Sequence, residues 1–103
     1  MGRGERREIR SRLEILLIHL LKCRYLPEWQ SPSWEASIEE ARRRIEDVLG
    51  DNPSLRSYPA EALAGAYRLA VLDRAIRSLD LGRLPRVCPC AIEDVLSEEF
   101  LPE

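Results

Sequence analysis

The stretch from Ile9 to Leu21 limits what this chain can fold into more than any other feature. Ile9, Leu13, Leu16, Leu17, Leu20 and Leu21 recur at helical spacing and make one apolar face. Ile15 and Ile18 fall well off that face, so the middle of a helix predicted from about Glu5 to Tyr25 is apolar nearly all round. Such a helix sits at the centre of a fold or against a partner, because left bare it would expose a patch that soluble monomers rarely tolerate. Pro27 ends it, since proline lacks the amide donor and clashes with the preceding turn.

The rest of the sequence reads as helices able to cover the first. Ser31-Pro32 is a helix start, a capping hydroxyl followed by proline at the first helical position. Trp34, Ile38, Ala41, Ile45, Val48 and Leu49 then repeat every three or four residues. Gly50 is expected just past the end in the left-handed conformation, before the turn residues Asp51-Asn52-Pro53. A third helix, with a short turn at Pro53 and a restart at Pro59, is expected to run to about Leu79. Its stripe is Ala62, Ala66, Leu69, Leu72, Ile76 and Leu79, and its many small residues let a neighbouring helix come close. Gly82 and Pro85 mark the exit into a connector. A short last helix from about Ile92 to Ser97 follows, with Phe100 and Leu101 expected to dock as an anchor. No strand-like alternation of useful length occurs. With 103 residues, 45% of them apolar, the chain supports one core. The expectation is a single all-α domain over residues 1–103: a small antiparallel bundle of three long helices and a short C-terminal one.

Charge excludes some functions. The net charge of -2 gives no strong field toward nucleic acid or a membrane surface. Arg3, Arg6, Arg7, Arg10 and Arg12 crowd the N-terminal end, whereas residues 91–103 carry Glu93, Asp94, Glu98, Glu99 and Glu103 with no basic residue. One end can therefore pair with the other, within a chain or between two, or both can be solvated ends. The N-terminal arginines also support a weak nucleic-acid alternative. Arg42-Arg43-Arg44 is neutralised by Glu39, Glu40, Glu46 and Asp47 four residues away, which reads as an exposed, locally paired helix face. Ile15 to Leu21 is too short to span a bilayer, and no signal peptide precedes it. Three cysteines are too few for a disulfide scaffold, so a reducing, cytoplasmic setting is expected.

Candidate chemistry is sparse. His19 and Cys23, four residues apart, share a helix face, and Cys88 and Cys90 flank Pro89 in a loop. Together these are four ligands of a kind that suits zinc, although a single residue between two cysteines is shorter than zinc sites usually show. A redox pair, for example Cys23 with Cys90, is a second reading. The plainer one makes Cys23 a small buried hydrophobe, Cys88 and Cys90 loop residues, and His19 a hydrogen-bonded histidine in or near the core. No phosphate-binding glycine loop, paired acidic motif or nucleophile elbow occurs, and a lone histidine is a poor basis for acid–base catalysis. No cofactor is expected beyond the zinc alternative. Trp34 falls on the core stripe, and Trp29 is expected to cap the first helix junction.

Several short motifs come in a familiar order: Arg6-Arg7-Glu8-Ile9-Arg10-Ser11-Arg12-Leu13, Leu17-Ile18-His19-Leu20-Leu21-Lys22, Tyr25-Leu26-Pro27-Glu28, Ser33-Trp34, Arg42-Arg43-Arg44-Ile45, Pro53-Ser54-Leu55-Arg56, Ala66-Tyr67, Cys88-Pro89 and Phe100-Leu101-Pro102. The ordered set resembles the bacterial family called domain of unknown function twenty-nine, over almost the whole chain. The resemblance implies a helical fold and assigns no activity. That family commonly carries an aromatic where this chain has Cys23 and another where it has Cys90, which argues against a family-wide metal site there. The family pattern also has a further N-terminal portion, so Met1 falls at an internal position of it.

The expected function is a self-associating protein–protein interaction module, a homodimer joined through Ile9, Leu13, Ile15, Leu16 and Ile18 on the first helix. A symmetric pair is the simplest cover for that helix.

Overall fold

The computed structural model describes residues 3–25, 32–73, 76 and 87–97. Four helices account for most of them: α1 (Arg3–Tyr25), α2 (Pro32–Asp51), α3 (Tyr58–Ala70) and the short α4 (Ile92–Leu96). A 3₁₀ turn, Pro53–Leu55, joins α2 to α3. No strand occurs among the described residues. The all-α expectation holds.

Side-chain contacts fix the helix directions. Lys22, near the end of α1, lies over the Trp34 ring at the start of α2, 5.7 Å from its centroid. Arg6, near the start of α1, lies over the Tyr58 ring at the start of α3, at 5.8 Å. So α2 runs back along α1, and α3 runs parallel to it. The arrangement is up-down-up, with sequence neighbours antiparallel as short connections require.

The central helix is α1. It packs extensively against both α2 and α3, which have little contact with each other. Ile9, Leu13, Leu16, Leu17, Leu20, Leu21 and Cys23 are all buried. Each buried leucine or isoleucine contributes roughly 1.5–3 kcal/mol of transfer free energy, so this one helix carries much of the core. The nearly all-round apolar middle of α1 is thus explained mostly within a single chain.

Three expectations need correction. Gly50 lies inside α2, and no glycine has a positive φ among the described residues. Asn52 closes the helix instead: its backbone N–H and its side-chain Nδ2 both donate to the Val48 carbonyl, each at 2.9 Å. The third helix is shorter than predicted, stopping at Ala70 with Val71 as its cap. Its buried stripe is also rotated. Pro59, Ala62, Ala66, Tyr67 and Ala70 face inward, while Leu69 and Leu72 are exposed. The small residues let α3 lie close to α1, and Tyr67 fills the space that a leucine row was expected to fill. Ile76 is buried as predicted. Leu79, Trp29, Phe100 and Leu101 lie outside the described residues.

The third correction concerns Arg42, read from sequence as part of an exposed charged face. It is only 4% exposed. Its Nε donates to the Val95 carbonyl at 2.9 Å, and Nη2 reaches the Asp94 carbonyl at 3.5 Å. Position 42 lies four after Ile38 and three before Ile45, both buried, so it belongs to the inward stripe of α2. Arg43 and Arg44 behave as predicted, reaching Glu39 and Glu40 one turn back at 3.2 and 3.9 Å. Since α4 also packs on α3, the Arg42 contacts tie it to α2 and make it a bridge between the two outer helices. Val95 is its buried anchor.

Candidate functional site

The four candidate metal ligands do not converge. Among the described residues, no group of three or more histidine, cysteine, aspartate or glutamate side chains is placed to hold a metal ion. His19 and Cys23 share a side of α1, as their spacing requires, but their surroundings differ. Cys23 is buried in the core, where burial pushes its thiol pKa up and nearby Glu35 pushes it further. It is the small inert hydrophobe of the plainer reading. His19 is half-buried, and its Nδ1 is buried with no hydrogen-bond partner, contrary to the satisfied histidine expected. Burial lowers its pKa, Lys22 lowers it further, and Asp73 opposes them in part. The balance favours the neutral ring.

Cys88 and Cys90 do meet. Both are free thiols in the non-helical segment leading into α4. Proline fixes its own backbone and biases the residue before it toward extended geometry, and Pro89 imposes both on this turn. Cys90 is buried and Cys88 half-buried. Cys90, through its thiol and its backbone N–H, is the main influence on the Cys88 sulfur. The thiol is the larger of the two, and it outweighs burial, bringing Cys88 down to about 7. Cys90 is pushed up, by Cys88 first and then by burial, with Arg24 opposing weakly. The strongest influence on Cys90 is thus Cys88, and Cys23, Cys88 and Cys90 are all free thiols. Tyr67 lies beside the pair and is itself raised to about 12, chiefly by burial.

The five residues expected to form a dimer interface divide in two. Ile9, Leu13 and Leu16 are fully buried inside the single chain and have no surface left to offer a partner. Their covering comes from α2 and α3. Ile18 is half-buried and Ile15 is 39% exposed, so these two remain. Leu69 and Leu72 add exposed apolar surface, at 46% and 61%. Sequence reasoning placed both in the core, because it took the larger apolar residues of α3 as the inward ones.

At the other end of the bundle, Arg6, Arg7, Arg10 and Tyr58 line a shallow surface pocket of about 230 Å³. The family pattern of domain of unknown function DUF29 matches residues 1–101. The chain belongs to that family. Neither a curated protein nor a solved structure matches it. Membership in the DUF29 family agrees with the helical architecture and carries no assigned activity. No helix among the described residues is long and apolar enough to cross a membrane.

Proposed function

We propose that this DUF29 domain is a protein–protein interaction module that pairs with a second copy of itself. The reading rests on the apolar side chains that the fold leaves outside: Ile15 on α1, and Leu69 and Leu72 at and beyond the end of α3. Because α1 and α3 run parallel with Tyr58 level with Arg6, Leu69 lies within about one helical turn, ~5 Å, of the height of Ile15 along the bundle.

Charge favours a second copy as the occupant. Arg6, Arg7 and Arg10 stand near the start of α1, while the exposed carboxylates Glu93 and Asp94 belong to α4, whose preceding turn lies near Arg24. Arg6 and Arg24 are separated by roughly 27 Å of helix at 1.5 Å per residue. Among the described residues no ion pair joins these two ends within one chain. A second molecule can bring them together, as a charged rim around an apolar centre.

Sedimentation equilibrium across micromolar concentrations tests the reading. The expected result is a dimer that weakens as salt rises and becomes a monomer in Ile15→Asp and Leu69→Lys, with helical circular dichroism retained. A wild-type monomer at every concentration would refute it.

A further inference from the structure

We propose that Cys88 and Cys90 form a thiol–disulfide exchange site for small disulfides, with Cys88 as the attacking sulfur and Cys90 as the resolving one. The thiols lie two residues apart, both free, in a proline-constrained turn outside any helix. Their unequal burial divides the roles. Cys88 is the more accessible, and Cys90 is buried behind it. The groups acting on the pair come from three sides: Arg24 from α1, Tyr67 from α3 and Asp94 from α4. The site is independent of the apolar surface proposed for pairing.

The chemistry balances with an external low-molecular-weight disulfide as oxidant. The Cys88 thiolate attacks one sulfur of that disulfide. A new sulfur–sulfur bond forms to Cys88, the external one breaks, and the leaving thiolate takes up a proton. Cys90 then loses its proton and attacks the Cys88 sulfur, releasing the second thiol. The chain is oxidised by two electrons to a Cys88–Cys90 disulfide, and the external disulfide is reduced to two thiols. A disulfide between positions this close is strained, and strained disulfides are readily reduced, so the exchange also runs in reverse with a dithiol as reductant.

Cys88 also has the right acidity for an attacking thiol near neutral pH. With its pKa at about 7, half of it is thiolate at pH 7, against about 3% for an ordinary cysteine near 8.5. The lower intrinsic nucleophilicity of the more acidic thiol offsets part of that roughly 16-fold gain, leaving about three- to fourfold.

The test incubates the reduced full-length protein with oxidised glutathione, quenches with acid, and maps tryptic peptides by mass. The expected product is peptide 87–103 lighter by two hydrogens, with Cys23 unmodified. Cys90→Ser should instead accumulate the glutathione adduct on Cys88, and Cys88→Ser should give neither product on the same timescale. Alkylation of Cys88 by iodoacetamide at pH 7 should slow three- to fourfold in Cys90→Ala, with circular dichroism confirming that the variant is folded. A persistent adduct on wild-type Cys88 would overturn the proposal. So would a Cys88 that reacts no faster in the folded chain than in urea, or equal alkylation rates in wild type and Cys90→Ala.

Discussion

Replacing Arg42 with methionine tests the account of how the C-terminal helix is held. The substitution keeps much of the apolar stem and removes the guanidinium, so the Val95 carbonyl loses its 2.9 Å donor while remaining inside the fold. A hydrogen bond from a charged donor is worth about 1.5–3 kcal/mol. Removing a buried cation relieves some desolvation cost, and that relief can offset a large part of the loss. Here the Val95 carbonyl is left without a donor that methionine can replace, whereas the Asp94 carbonyl keeps the Ser97 N–H at 3.1 Å, so the lost donor wins, with a net destabilisation of about 1–2 kcal/mol. Arg42→Ala also removes two stem methylenes, Cγ and Cδ, at about 0.8 kcal/mol each, which brings its total to about 2.5–3.5 kcal/mol.

Two measurements separate this mechanism from a general loss of packing. Thermal unfolding by circular dichroism should drop by about 4 °C per kcal/mol, so by roughly 4–8 °C in the methionine variant. Hydrogen exchange should be local. The Val95 amide, which donates to the Ala91 carbonyl at 2.9 Å inside α4, should lose protection, while amides of α1 fall only with global stability. A five-residue helix has no stability of its own, so once undocked it melts. A methionine variant with wild-type melting and an unchanged Val95 amide would refute the reasoning.

Two further outcomes follow from the same structure. His19 has a folded pKa below the unfolded 6.5, so the unfolded chain binds its proton first as pH falls. Its contribution to stability is whole above pH 6.5 and is lost as pH drops through the folded value; urea midpoints in His19→Gln should lack that part of the acid slope, and an identical slope in both proteins counts against it. Gly65 lies in the interior of α3 without a positive φ, and a methyl there would meet only the far end of Arg68 at 3.9 Å, so Gly65→Ala should stabilise by about 0.5–1 kcal/mol in urea titration, and a loss of stability would contradict the packing described.

How legible these features were depended on which physical signal carried them. The central position of α1 was readable because an apolar residue leaves its mark wherever it falls on the helix, and Ile15 and Ile18 broke the one-sided pattern. The inward face of α3 was readable only in part: Ala62 and Ala66 face inward as expected, but Leu69 and Leu72 do not, because hydropathy favours leucine over alanine, whereas a close helix–helix approach is governed by size. Ala62, Ala66 and Ala70 recur every four residues, and that spacing of small side chains was the available signal. In the thiol turn, the spacing of Cys88 and Cys90 was visible, and judged against zinc it looked a poor match. The same short spacing puts two free thiols in one turn, and thiol–disulfide exchange needs no third ligand.

Arg42 shows most directly why charge misleads a reading by pattern. Its triplet of arginines looks uniform in sequence, and the glutamates one turn away make it look uniformly solvated. Helix geometry separates the three. Positions 43 and 44 point outward to Glu39 and Glu40, while 42 continues the stripe of Ile38, Ile45 and Leu49. A cation on such a stripe is costly unless acceptors await it, and the last turn of a helix supplies unpaired carbonyls. The short, acidic, lysine- and arginine-free α4 offers those carbonyls with no basic residue of its own to satisfy them. An inward arginine on one long helix and a cation-poor short helix are therefore complementary halves of one contact, each unexplained by its own local sequence.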